Sequence, residues 1–105
     1  MQIGTQERRI STRVASAHAV IVRDLEGSFL ARGRTTDISE RGAFALTNTH
    51  DDLCKGLEVL VELSIPPVSS TRRGERTVTY RCRIARVEPI AQLVGLGLDF
   101  LQRAP

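Results

Sequence analysis

The 105-residue sequence predicts a single small all-β domain of six strands, with no helix longer than a turn or two. Three observations predict it. Leu57 to Ile65 has the clearest alternation: Leu57, Val59, Val61, Leu63 and Ile65 share one face and Glu58, Glu62 and Ser64 are among the other, the period of a half-buried strand. Leu93 to Phe100 follows the same period, with Val94, Leu96, Leu98 and Phe100 alternating with Gly95, Gly97 and Asp99. The remaining apolar runs are short and separated by turn-forming residues, as in Asp24-Leu25-Glu26-Gly27 and Pro66-Pro67. Six such strands make a closed antiparallel barrel or a sandwich, and closure removes the edges that an open sheet would expose.

The elements follow in order. Residues 1–6 carry no periodicity and read as a flexible tail, with one domain over 7–105. Val14 to Arg23 is the first strand; Val14, Ser16, His18, Val20 and Val22 oppose Ala15, Ala17, Ala19 and Ile21, and both faces are apolar enough that the core side stays open. Asp24–Gly27 turns the chain into a second strand, Ser28 to Thr36, to make a hairpin. Asp37–Gly42 is a tight corner in which Gly42 supplies a backbone geometry that a Cβ would disfavour. Ala43 to Thr47 is the third strand, and Asn48–Gly56 a polar loop with one helical turn around Asp51–Lys55. Leu57–Ile65 ends at the prolines, and Val68–Glu75 is a Ser/Arg/Gly loop. Arg76 to Val87 is a long strand with Val78, Tyr80, Cys82 and Ile84 on one face and Arg81 and Arg83 on the other. Glu88–Ala91 turns into the last strand, Leu93 to Phe100.

Composition narrows the function classes. A chain this long buries roughly 60–70% of its unfolded surface, enough for a core without staples. No apolar run approaches the ~20 residues that span a bilayer, and no basic stretch leads into an apolar one at the start. A soluble cytoplasmic protein with no membrane contact is expected. Cys54 and Cys82 lack metal-ligand spacing and read as buried or half-buried free thiols. His18 and His50 read as a strand-surface and a loop residue. No Ser/His/Asp order, paired carboxylates or phosphate loop stands out, so no enzyme, metal or cofactor is expected. The net charge is +3, carried by fourteen arginines and one lysine, Lys55. Arginine is a rigid fork of donors suited to phosphates and guanine edges.

The arginines concentrate in one motif. Glu7-Arg8-Arg9-Ile10-Ser11-Thr12-Arg13-Val14 contains Arg-x-x-x-Arg at Arg9 and Arg13, preceded by Arg8. Asp37-Ile38-Ser39-Glu40-Arg41-Gly42 contains Asp-x-Ser-x-x-Gly. Either motif alone occurs by chance in many chains. Together, in this order and at this separation, they resemble the PilZ domain, a bacterial receptor module for the second messenger cyclic di-GMP. The resemblance covers roughly residues 7 to 102, and Gly95–Phe100 is similar to the family's final strand. It implies a six-stranded antiparallel β-barrel. It also implies that Arg9 and Arg13 are the paired ligand arginines, and that Asp37, Ser39 and Gly42 are ligand contacts on the barrel wall. Arg8 matches an extra arginine that in the family accompanies a stacked ligand dimer, so two ligand molecules per chain are expected. Many members continue into a helix after the last strand; only Leu101–Pro105 follow here, so that helix is short or absent.

The residue types suit the ligand. Cyclic di-GMP carries two guanines and two phosphodiesters. Arginine pairs with guanine O6/N7, an ionised Asp37 accepts two donors from a guanine Watson–Crick edge, Ser39 donates to an oxygen, and Gly42 admits close backbone approach. Arg41 either adds a phosphate contact or points to solvent. Three readings follow. The first is a non-catalytic cyclic di-GMP signalling receptor whose arginine segment is mobile when free and orders over the wall on binding, changing the surface offered to an effector protein. The second is a PilZ-like interaction module that binds no nucleotide. The third, a small basic barrel for single-stranded nucleic acid, is disfavoured: aromatics are only 4% of the chain, Phe44 and Phe100 read as core-facing, and such binders need exposed stacking platforms.

Overall fold

Alternating side chains hide one face of a strand and show the other, and that rule builds each wall of the molecule. The computed structural model describes residues 14–15, 17–48, 52–65 and 76–104. They form β1 (Val14–Ala15), β2 (Ala19–Arg23), β3 (Phe29–Ile38), β4 (Gly42–Thr47), β5 (Glu58–Ile65), β6 (Arg76–Ile90) and β7 (Leu93–Arg103). Every pairing is antiparallel, in the cyclic order β3–β2–β5–β6–β7–β4, and β4 returns to β3. The result is a closed six-stranded antiparallel barrel. β4 already holds one edge of β3 at Asp37 and Ile38, so β1 takes the edge along which β2 runs. The expected first strand is therefore one strand in two pieces. Ala19 faces Arg34 but Ala15 faces Asp37, so four residues on one side span three on the other. Buried Thr35 sits at this irregularity: its Oγ1 accepts from the His18 backbone N–H at 2.9 Å, and its own N–H donates to the His18 carbonyl at 2.9 Å.

The core is Val20 and Val22 from β2, Ala31 from β3, Ala45 from β4, Val59, Val61 and Leu63 from β5, Cys82 and Ile84 from β6, and Leu96 and Leu98 from β7. Full burial of such a side chain contributes roughly 1.5–3 kcal/mol. The valine face of the first strand is thus the inner one. Tyr80 and Phe100 pack at the edge of the core, stacked with ring centroids 4.2 Å apart and planes 6° apart.

Turn chemistry sets the ends. Gly27 takes φ +97°, and Asp24 Oδ1 accepts from the backbone N–H groups of Glu26 and Ser28 at 2.9 Å each. Residues 54–57 form a β-turn with Gly56 at φ +92°, where a helical turn was expected. β6 runs on through Glu88, Pro89 and Ile90, and the turn falls at Ala91-Gln92, with Ala91 at φ 56°. After Phe100 the chain stays extended to Arg103. The described residues hold no helix long and apolar enough to cross a membrane. The tail 1–6, the Val68–Glu75 loop and His50 lie outside the described residues.

Candidate functional site

The corner between β3 and β4 is set by small residues. Ser39 donates its backbone N–H to the Gly42 carbonyl at 2.8 Å, and its Oγ accepts from the Arg41 backbone N–H at 3.2 Å. The Arg41 carbonyl accepts from Phe100 N–H at 2.9 Å, tying the corner to β7. Gly42 is needed here for space. A Cβ on it would collide with the Leu98 carbonyl oxygen, while its φ is one that other residues adopt. The close approach of β4 to β7, and no special backbone angle, is what excludes a side chain. Asp37 belongs to β3, where it is half-buried and pairs with Ala15 on one side and Phe44 on the other.

A second local rule shapes the wall beside this corner. On β7, Leu96 and Leu98 point inward, which sends Gly95 and Gly97 outward and leaves a trough on the barrel surface. The flanking strands fill it. A Cβ on Gly95 would come within 2.6 Å of Phe44 Cζ, and one on Gly97 within 3.1 Å of Arg86 Cβ. Phe44 therefore lies on the outer wall; the expectation that it faces the core is corrected. Its neighbours Ala43 and Ala45 are the buried ones. The Arg86 guanidinium carbon lies 5.3 Å from the Phe44 ring centroid, and Arg86 forms an ion pair with Glu88, Nε to Oε2 at 3.1 Å.

Corner and trough form one cleft of about 620 Å³, lined by Asp37, Ser39, Arg41, Gly42, Phe44, Arg86, Gly97 and Asp99 among others. That size lies within the ~300–1,000 Å³ of small-molecule sites. Asp37, Ser39 and Gly42 are thus brought together. Arg8, Arg9 and Arg13 lie outside the described residues. The chain one residue beyond Arg13 is nevertheless fixed: Val14 pairs with Ile38 and Ala15 with Asp37.

The chain as a whole matches a known family. A model of the PilZ domain matches residues 7–104. The chain belongs to the PilZ domain family. Among solved structures it is similar to the Bacillus subtilis inhibitor of motility MotI/DgrA, with 16% identity and a TM-score of 0.70 over 92% of this chain and 44% of that one. It is also similar to the PilZ domain of YcgR from Escherichia coli with c-di-GMP, with 17% identity and a TM-score of 0.64 over 90% of this chain and 78% of that one. For the larger YcgR in complex with c-di-GMP the values are 20% and 0.62, over 90% and 38%. The chain spans 44% of the length of the MotI/DgrA chain. At these identities the likeness is one of fold. No curated protein matches the sequence.

Within this PilZ barrel the cleft adds residues that neither motif contains: Phe44, Arg86, Gly97 and Asp99. The outward glycines of β7 were the available signal, since a bare strand face calls for a neighbour to cover it. Arg41 is exposed and lines the cleft. Asp37, Asp99, Arg41 and Arg86 carry two formal charges of each sign, so this wall by itself is electrically balanced. It offers carboxylate acceptors, a hydroxyl, cationic forks and an aromatic face. Among the described residues no group of three or more His, Cys, Asp or Glu could hold a metal ion. Burial, and secondarily the Asp99 charge, push the Cys82 thiol up to about 12, so it is an inert core residue. Cys54 is exposed, against the expectation of burial.

Proposed function

We propose that this chain is a non-catalytic cytoplasmic receptor for cyclic di-GMP. The observation that carries the reading is the β1–β3 pairing, which lays the residue after Arg13 beside the strand that delivers Asp37 to the cleft. The described chain thus begins, one residue after the first motif, paired with the strand that carries Asp37 of the second. The charge balance of the described wall supports the same reading: a dianion needs further cations, and Arg8, Arg9 and Arg13 are the supply. Asp37 takes the guanine N1–H and N2 donors, Ser39 donates to a ligand oxygen, and Gly42 lets the backbone come close. The solved YcgR structures with c-di-GMP support the ligand class.

In the proposed mechanism the arginine segment closes on the wall when ligand arrives, and an effector protein reads the new surface. Arg8 is surplus to a single ligand and serves a second, stacked one, so two molecules bind per chain. Isothermal titration with cyclic di-GMP, with cyclic di-AMP and GTP as controls, tests the reading. Micromolar or tighter binding of cyclic di-GMP alone is expected, and no heat with any nucleotide would leave the interaction-module reading in its place. In the same titration a stoichiometry of one, unchanged in Arg8→Ala, would remove the stacked pair. Equal hydrogen-exchange protection of residues 8–13 with and without ligand would remove the closure.

A further inference from the structure

One row of cross-strand neighbours runs through the cleft. Asp37 on β3 faces Phe44 on β4, Phe44 faces Gly97 on β7, and Gly97 faces Arg86 on β6. Adjacent strands lie ~4.8 Å apart, so the row spans a carboxylate, an aromatic ring, a gap and a cation over four strands. Gly97 is what lets the row function as a surface: with no side chain there, Arg86 reaches across β7 towards Phe44. Two contacts hold Arg86 in place, the Phe44 ring at 5.3 Å and Glu88 Oε2 at 3.1 Å from Nε. Its side chain is still 62% exposed, on the cleft side of the barrel. A guanidinium held at its Nε edge, backed by an aromatic ring and open to solvent is a preorganised stacking partner for a flat heterocycle.

Resting on the receptor reading above, we propose that Arg86, backed by Phe44, is a base-stacking residue: it receives the π face of a purine of the bound nucleotide while Asp37 holds a Watson–Crick edge. Neither ligand motif contains this residue. Planarity is what the site asks of it, so a lysine, with the same charge and no plane, is a poor replacement. A residue that acted only by long-range attraction would behave oppositely: lysine would replace it and its effect would fade with salt.

The test is titration of cyclic di-GMP into the wild-type chain and its Arg86→Ala and Arg86→Lys variants, at low and high salt, with circular dichroism to confirm folding. A roughly tenfold loss of affinity in Arg86→Ala, shared by Arg86→Lys and persisting at high salt, is expected. Phe44→Leu still covers the glycines but removes the ring, and should weaken binding by a smaller factor, about threefold. Wild-type affinity in Arg86→Lys, or an Arg86→Ala defect that vanishes in high salt, would overturn the stacking role while the receptor reading stands. A wild-type chain that binds no cyclic di-GMP would overturn both.

Discussion

The β2–β5–β6 wall and the β4–β7 wall follow the same alternation but do different things with their outer faces. On the first wall the outward charges face one another across strands. Glu58 accepts from Arg81 at 2.7 Å and Arg83 at 3.2 Å, and Glu62 from Arg23 at 2.9 Å. On the second wall the outward Gly95 and Gly97 of β7 carry no side chain, Phe44 and Arg86 lean over them, and charged groups line a cleft. Arg41 and Asp99 form no ion pair among the described residues, and both lie on the cleft. Where charges are satisfied internally the wall is scaffold. Where the outward groups gather around a cleft, the wall has the shape of a binding surface.

That contrast can be broken in order of expected effect. Leu63→Ala on the scaffold wall removes a fully buried side chain. It should cost about 2–5 kcal/mol of stability by denaturant unfolding, with near-normal affinity in whatever fraction stays folded. Arg9→Ala and Arg13→Ala should do the reverse. Each loses roughly 1.5–3 kcal/mol of cyclic di-GMP binding with an unchanged unfolding curve. Both variants binding like the wild type would mean that the cleft is not a nucleotide site. Asp37→Ala should compress the preference for cyclic di-GMP over cyclic di-AMP by about 1–3 kcal/mol, the worth of a paired base-edge contact, without unfolding the barrel. Ala91→Gly, in the turn that joins β6 of one wall to β7 of the other, should raise stability by about 0.5–1 kcal/mol, because the left-handed φ of 56° strains an alanine and not a glycine.

The smallest effect sharpens the comparison from the scaffold side. Hydrogen bonds from Arg81 and then Arg83 hold the Glu58 carboxyl below its ordinary value of 4.5. A lowered folded-state pKa means stability that is present above the ordinary value and lost as pH falls through the lowered one. The melting temperatures of wild type and Glu58→Gln should therefore differ slightly at neutral pH, less in high salt, and converge in acid below that value. A difference that grew towards acid would reverse the assignment.

The sequence was legible wherever the two faces of a strand differ in chemistry. β5 and β7 show it: valines and leucines against glutamates or glycines leave one inner face possible, and Val59, Val61, Leu63, Leu96 and Leu98 are buried as read. The first strand was illegible because both its faces are partly apolar, valines on one and alanines with Ile21 on the other, and its break at the Thr35 irregularity depends on a register that no local pattern encodes. Phe44 misled for a related reason. Between two alanines an aromatic ring looks like the core residue, but the alanines are the buried ones. The family resemblance singles out Asp37, Ser39 and Gly42, which the barrel brings to one cleft, but it does not single out Arg86. It is far from both motifs, and it reaches the cleft through a register shift between Ile84 and Arg86 that puts it opposite Gly97.

The two thiols give the molecule a built-in count of its own opening. Cys54 is at the surface, while Cys82 sits in the core with its thiol at about 12. Alkylation proceeds through the thiolate and needs access. A native chain should take up one equivalent of a maleimide dye promptly, and a second only when the barrel opens around β6. The slow second mass increment then times the opening of a wild-type sequence, with no engineered probe. Because Cys82 is on β6 and paired with Phe100 of β7, that clock reads the strands that bound the cleft. Ligand that locks these strands together should slow it.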